Sequence, residues 1–328
     1  MIGIKRILIT GASGYIGSRL CEYLSNQGYE IIGLFSSQPK DKRWSDIISE
    51  IIVGDIRDDE TIKKISNSNA EVIIHLVSLN HHESEKSPQE VYKVNVQPTW
   101  DILHNSLKLN NQLKKFIYFS TIHVYGSDLK GIIEENKKAT PLNAYALTHA
   151  LSEEVCNYYN NTTKVECINI RLANSYGQPV FFDSKCWSLI INDLVKSAFE
   201  NKKIILNSDG TAFRDFIHFS IICSVVDKII KTTSSFQKNV INLCSSESIS
   251  ILDTAQLIKK VYKKKYGIDI PIYINSSELI NSKTNHLNLT PYRFSKKYLN
   301  EEIIESTKSL SEGIEDLFNY FDKLNLNK

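Results

Sequence analysis

From residue 1 to about residue 125 the chain alternates short apolar runs with longer stretches of helical spacing. Strands are predicted over Arg6–Thr10, Glu30–Phe35, Ile51–Val53, Val72–Leu76 and Lys115–Ser120, and helices over Ser18–Asn26, Glu60–Ser66 and Val91–Leu109. The strands are continuous apolar runs, such as Ile7, Leu8 and Ile9, which suits a parallel sheet covered on both faces. Repeated βα units of this kind predict an α/β fold, a Rossmann-type doubly wound parallel sheet. A helix follows over Asn143–Asn160, opened by Pro141, then a strand over Val165–Ile170. Beyond Tyr176 the regularity loosens. Trp187–Glu200, Ile251–Lys265 and Ser309–Leu324 have helical patterns; Val240–Leu243 and Ile270–Ile274 have strand patterns. The pattern predicts one domain over 1–172, with 213–245 returning to it, and a smaller interleaved C-terminal α/β domain over 173–212 and 246–328.

The first strand stops at Gly11, and Gly14 and Gly17 follow before a helix. Gly11 suits the turn off the strand, Gly14 the approach of a diphosphate to bare backbone, and Gly17 close packing of helix on strand. The open helix N-terminus offers N–H groups and a partial positive charge to phosphates. Strand, glycine turn, helix and second strand in that order predict a dinucleotide site in the first domain.

Composition adds bounds. The 328 residues are 42% hydrophobic and 23% charged, with a net charge of +2. Those values suit a globular chain with a sizeable core and give no general attraction to nucleic acid or anionic membrane. No apolar run approaches a bilayer-spanning length, and the chain enters its first strand at once, so a cytoplasmic location is expected. Cys21, Cys156, Cys167, Cys186, Cys223 and Cys244 have no CxxC spacing, so reduced thiols are expected, and neither zinc nor a redox dithiol. His81 and His82 are adjacent, which points them in divergent directions, and no carboxylate motif accompanies them; a loop lining a substrate is expected there, not a metal.

Several short motifs stand in order: Thr10-Gly-Ala-Ser-Gly-Tyr-Ile-Gly17, Gly54-Asp-Ile-Arg-Asp58, Ile74-His-Leu76, Val94-Asn-Val96, Ser120-Thr-Ile-His-Val-Tyr-Gly126, Tyr145, Arg171-Leu-Ala-Asn-Ser-Tyr-Gly177 and Arg214-Asp-Phe-Ile-His218. From about residue 5 to 245 the chain resembles the extended short-chain dehydrogenases/reductases, NAD(P)-dependent nucleotide-sugar epimerases, dehydratases and reductases. The resemblance implies cofactor contacts at Gly11, Ser13, Gly14, Tyr15, Ile16, Gly17, Phe35, Ser36, Asp55, Ile56 and Leu76, with Asp55 and Ile56 at the adenine. It implies that Thr121 hydrogen-bonds the reacting sugar oxygen and that Tyr145 is the general acid/base. His81, His82, Asn174, Arg214 and Arg293 are implied on the substrate side, with Asn174, Arg214 and Arg293 toward the nucleotide diphosphate. The helices near Val91–Leu109 and Asn143–Asn160 are similar to a pair that forms a dimer interface in the family, so a homodimer is expected.

Two departures matter. The family pattern is Tyr-x-x-x-Lys, and this chain has Tyr145-Ala-Leu-Thr-His149. Positions i and i+4 share a helix face, so His149 takes the place of a lysine that anchors the nicotinamide ribose and acidifies the tyrosine. An imidazole can hold a ribose hydroxyl but is a weaker cation. Second, the acid that holds a ribose 2′-hydroxyl in NAD sites is replaced by Phe35, followed by Ser36 and Ser37. With Lys40 and Arg43 nearby, the cofactor is NAD or NADP, the balance tipping to NADP. Ile122 and His123 stand where 4,6-dehydratases resemble Asp-Glu, which argues against that reaction. The resulting expectation is 4-epimerisation or 4-ketoreduction of a nucleotide-linked sugar. The alternative, motivated by His149, is a catalytically weakened dinucleotide-binding sensor or scaffold.

Overall fold

The computed structural model describes residues 4–110, 112–127, 129–232, 239–274, 278–279, 291–299 and 308–326. The chain begins β1 (Arg6–Thr10), α1 (Tyr15–Asn26), β2 (Glu30–Phe35), α2 (Trp44–Ile47), β3 (Glu50–Val53), α3 (Asp59–Ser66), β4 (Val72–His75), α4 (His81–Ser84), α5 (Pro88–Asn95), α6 (Gln97–Leu109) and β5 (Lys115–Thr121). A 3-10 turn over Ile122–Tyr125 leads to β6 (Gly131–Ile133), α7 (Ala144–Thr162), β7 (Glu166–Leu172), β8 (Asn174–Tyr176), α8 (Ile190–Asn201), β9 (Ile204–Leu206), β10 (Phe213–His218) and α9 (Phe219–Lys231). The last part holds β11 (Val240–Leu243), β12 (Ser248–Ser250), α10 (Ile251–Tyr266), β13 (Ile272–Ile274), β14 (Glu278–Leu279), β15 (Tyr292–Phe294) and α11 (Leu310–Leu326).

Seven parallel strands form one sheet in the order β11-β7-β5-β4-β1-β2-β3. Side chains alternate across it as the pleat requires. Ile7, Ile9, Ile74, Ile117 and Ile170 pack on one face; Leu8, Ile32, Ile73 and Phe116 pack on the other. Both faces are dry, so the strands carry apolar residues throughout. A third core joins α8, α10 and α11 through Leu194, Val195, Ile258, Leu317 and Phe318. Small sheets β12-β10-β8, β14-β13-β9 and β15-β6 complete the chain.

Several short elements were not expected, and two of the differences have a clear physical cause. The single helix predicted over Val91–Leu109 is two helices, α5 and α6, meeting at Val96. Pro98 has no N–H to give the carbonyl four residues back, so the turn there cannot continue the ladder. The longest element outside the predicted ones is the helix α9. Ile221, Ile222, Val225, Val226, Ile229 and Ile230 give it a β-branched composition that suits strands, while their spacing is helical.

Candidate active site

In the strand order, β2 and β4 flank β1 on opposite sides, so the connections diverge there and leave a crevice at the strand ends. Thr10 closes the top of β1. Its Oγ1 accepts the Leu76 N–H at 3.0 Å and meets His75 Nδ1 at 2.8 Å, which ties β1 to β4. Gly11 follows with φ of 69°, a left-handed turn that disfavours side chains. A Cβ on Gly17 would sit 2.1 Å from the Gly11 carbonyl oxygen, so only glycine lets α1 lie against the loop. The helix has no side-chain cap and no acid in its first turn. Its N–H groups therefore face the crevice unopposed. A cleft of about 530 Å³ opens here, lined by Gly11, Ser13, Gly14, Ser36, Asp55, Ile56 and Leu76 among others. A glycine cradle, an open helix end and this polar-rimmed cleft fit a dinucleotide.

Other residues expected at the cofactor have different surroundings. Phe35 is 2% exposed, with its ring edge-on to Trp44 at 4.9 Å, so its side chain belongs to the core and the cleft wall falls to Ser36. This corrects the expected Phe35 side-chain contact: the residue ends β2, and its inward pleat position sends the ring under the sheet. The Tyr15 hydroxyl donates to the Gly177 carbonyl at 2.9 Å, fastening α1 to the loop after β8. Ile16 is half-buried beside it. Asp55 is held by Arg57 at 2.5 Å, and that hydrogen bond keeps its carboxyl below the usual range. Arg43 is committed to Asp41 at 2.6 Å and stacks on the Phe181 ring at 4.4 Å.

Thr121 ends β5 and Tyr145 opens α7, so a strand end and a helix start meet. Asn143 caps α7 by accepting the Ala146 N–H at 2.8 Å, which fixes where its first turn begins. Thr121 Oγ1 accepts the His123 N–H at 3.3 Å, and the Thr121 hydroxyl lies near enough to the Tyr145 phenol to act on it. Burial raises the phenol's pKa, and the Thr121 contact works against that rise. The His149 ring lies 4.3 Å from the Tyr145 ring, centre to centre. Its Nδ1 donates to the Tyr145 carbonyl at 2.7 Å; a carbonyl only accepts, so this nitrogen carries the proton. At 2% exposure, burial pulls His149 down to about 4, against that hydrogen bond and with a further push from His123. His149 is therefore neutral at pH 7, and its Nε2 has no hydrogen-bond partner among the described residues.

His81 and His123 approach Tyr145 from the other side, with ring centres at 6.5 and 6.2 Å. Arg214 is charge-coupled to His123, its NH1 donating to the Phe213 carbonyl at 2.7 Å. These groups gather at one mouth. His82 is exposed beside His81, 5.7 Å away between ring centres. Asn174 gives its amide N–H to the Asp215 carbonyl at 2.9 Å, beside Arg214's strand. Arg293 is exposed on β15, which pairs with β6.

Residues 7–244 match the profile described as NAD dependent epimerase/dehydratase family. The chain belongs to that family. It is an extended short-chain dehydrogenase/reductase with a Rossmann fold and an NAD-dependent lineage. It is 29% identical over 279 residues to the dTDP-D-glucose 4,6-dehydratase of Dictyostelium discoideum, covering 78% of this chain and 62% of that protein. It is 28% identical over 227 residues to the UDP-glucose 4-epimerase of Halalkalibacterium halodurans, covering 65% of this chain and 66% of the other. In fold it is similar to UDP-glucuronic acid 4-epimerase from Bacillus cereus in complex with NAD, with TM-score 0.75, 24% identity and 98% of each chain covered.

Within this epimerase/dehydratase family member, motif reading left out the residues that hold the mouth together. Glu153, one turn beyond His149, accepts Ser120 Oγ at 2.5 Å and Arg171 NH2 at 2.6 Å. Asn95 accepts the Leu79 N–H at 2.7 Å and donates to Thr148 Oγ1 at 2.9 Å, joining the loop after β4 to α7. The Val94-Asn-Val96 motif marked Asn95 in the sequence but not its partners.

Proposed function

We propose that this protein interconverts configurations at C4 of a nucleotide-linked sugar, with NAD as its bound cofactor. The observation that supports the reading is the Thr121–Tyr145 hydroxyl pair, which the end of β5 and the first turn of α7 bring together, with the His81, His123 and His149 rings around the phenol. Bound there, the nicotinamide would accept a hydride and return it. The chain's own groups do the rest. Thr121 orients the C4 oxygen. Tyr145 takes its proton and later gives it back. His149, neutral and locked through Nδ1, offers Nε2 as acceptor for a ribose hydroxyl. Arg214, which has no carboxylate partner among the described residues, suits the substrate diphosphate. Arg43 is already engaged by Asp41 and Phe181, which weakens the earlier preference for NADP. Mass spectrometry of small molecules released from the purified protein tests this. Tightly held NAD with no net consumption supports epimerisation; stoichiometric NADPH oxidation with a 4-keto-sugar nucleotide would replace it with ketoreduction.

Replacing His149 by Lys sets a cation beneath the phenol. A nearby positive charge favours phenolate and lowers an acid's pKa by about 1–3 units. The acidic limb of the kcat profile, which rises as Tyr145 loses its proton, should therefore move to lower pH, with activity kept or raised. A variant without activity at any pH would remove His149 as a working substitute for lysine.

The same helices support a homodimer. Trp100 on α6 is 44% exposed and stacks on Tyr158 of α7 at 5.6 Å; Leu147 and Leu151 of α7 are 48% and 41% exposed. Positions 147, 151 and 158 fall on one helical face. A contiguous apolar face of this kind suits a second copy of the chain. Trp100→Arg should shift the protein from dimer to monomer in sedimentation equilibrium; an unchanged mass would place the interface elsewhere.

A further inference from the structure

Three helices of the third core end together. Phe199, near the end of α8, lies 6.2 Å from Tyr266, the last residue of α10, and 5.0 Å from Phe321 of α11, ring centre to ring centre. The Tyr266 hydroxyl donates to Asp322 of α11 at 2.9 Å. The closing turns of all three therefore share one pole of the molecule. Lys202 and Lys203 follow α8 there, Lys263, Lys264 and Lys265 lie in the last turn of α10, and Lys323 lies in the last turn of α11. Asp322 is held by Lys265 at 3.0 Å, and Asp269 by Lys263 at 3.5 Å. Lys203, Lys264 and Lys323 have no carboxylate partner among the described residues. A net charge of +2 for the chain thus conceals a concentrated positive pole. Lysines at helix C-termini offset the macrodipole, which accounts for the charge but not for the apolar side chains set among it. Leu326 is 85% exposed, Ile268 49% and Phe182 46%. Phe182, Phe199, Phe321 and Leu324 share a groove of about 500 Å³ with Glu200 and Lys202. Lys202 has a φ of 54°, in the left-handed region that favours glycine, so a long cationic side chain stands where a bare backbone would be less strained.

We propose that this pole docks the protein reversibly on an anionic phospholipid surface. Unpaired ammonium groups beside exposed apolar side chains are the combination such a surface recognises. Lysines gather at the headgroups, and leucine, isoleucine and phenylalanine side chains enter the boundary with the acyl chains. A soluble anion would use the lysines and leave Leu326 and Ile268 in water. An apolar protein partner would cover the leucine and isoleucine but bury lysines without counter-charges. An anionic bilayer matches both. Docking of this kind needs no spanning segment, and among the described residues no helix is long and apolar enough to cross a membrane. The pole belongs to the core of α8, α10 and α11, whereas Thr121 and Tyr145 sit on β5 and α7, so docking does not depend on the reaction proposed for them.

The test is sedimentation of the purified protein with vesicles. One set contains phosphatidylcholine and phosphatidylglycerol in equal parts, the other phosphatidylcholine alone. The protein is expected to pellet with the mixed vesicles at low salt, to stay in solution with the neutral ones, and to be released from the mixed ones at about 1 M salt, where charges are screened. Lys264→Glu combined with Lys323→Glu is expected to weaken binding by about 10²-fold or more. Ile268→Ser combined with Leu326→Ser leaves the charge unchanged and is expected to weaken it by about tenfold. Circular dichroism establishes that each variant is folded. No pelleting with the mixed vesicles, or pelleting that the charge reversals leave intact, would overturn the proposal. Binding undiminished by the two serines would overturn it as well, because a site for a soluble anion would then suffice.

Discussion

Tyr145→Phe is expected to lower turnover of the preferred sugar nucleotide by about 10²–10⁴-fold, the usual worth of a positioned acid–base group. The substitution removes one oxygen and keeps the ring. The ring's neighbours are His149 at 4.3 Å and His123 and His81 at 6.2 and 6.5 Å, none of which depends on the phenol for its own hydrogen bonds. α7 keeps its Asn143 cap. Fold and dinucleotide retention should therefore be unchanged, and the loss should appear in kcat more than in KM, because in the proposed reaction the proton moves only as the C4 oxygen reacts. Steady-state kinetics with the nucleotide content of the protein measured alongside is the check. Indifference to the change, with dinucleotide bound, would leave a sensor or scaffold as the better account of the chain.

The contrast between legible and illegible parts has a physical basis. The glycine turn was legible because backbone geometry imposes it: no other residue fits at Gly17, 2.1 Å from a carbonyl oxygen. The shared face of Tyr145 and His149 was legible from helical spacing alone. The state of His149 was not, because it depends on burial and on a hydrogen bond to its own helix. Phe35 and Tyr15 lay in the right motif but turn their side chains to Trp44 and Gly177. A motif gives chain position, and pleat and packing decide direction. Pro98 did carry a visible sign of the break between α5 and α6, outweighed by the apolar spacing that runs through it. His123 was visible only as a missing acid, and its orientation to Tyr145 emerged from the turn that follows β5.

Least legible was the buried pair that holds β5 and α7 in register, and Glu153→Ala is expected to destabilise the protein by about 3–5 kcal/mol, a large share of the roughly 5–15 kcal/mol that holds a domain folded. Glu153 and Arg171 are 3% and 6% exposed. Arg171 Nε donates to both carboxylate oxygens at 3.0 and 3.2 Å, and NH2 donates at 2.6 Å. Its NH1 is taken by the Glu135 carbonyl at 3.1 Å, and the guanidinium lies 4.6 Å from the Tyr125 ring. Removing the carboxylate leaves that guanidinium charged in a dry site, because arginine does not shed its proton. The Ser120 hydroxyl loses its acceptor in the same step. Ser120 precedes Thr121 on β5, and Glu153 lies eight residues after Tyr145 on α7, so the pair sets the distance between the two hydroxyls proposed to act on the sugar. Turnover should accordingly fall at temperatures where the variant is still folded. Glu153→Gln retains the volume and an acceptor oxygen and should be milder. Urea unfolding of the three proteins at pH 7 measures the order; a loss below about 1 kcal/mol for Glu153→Ala, the range of an exposed ion pair, would show that the pair is open to water.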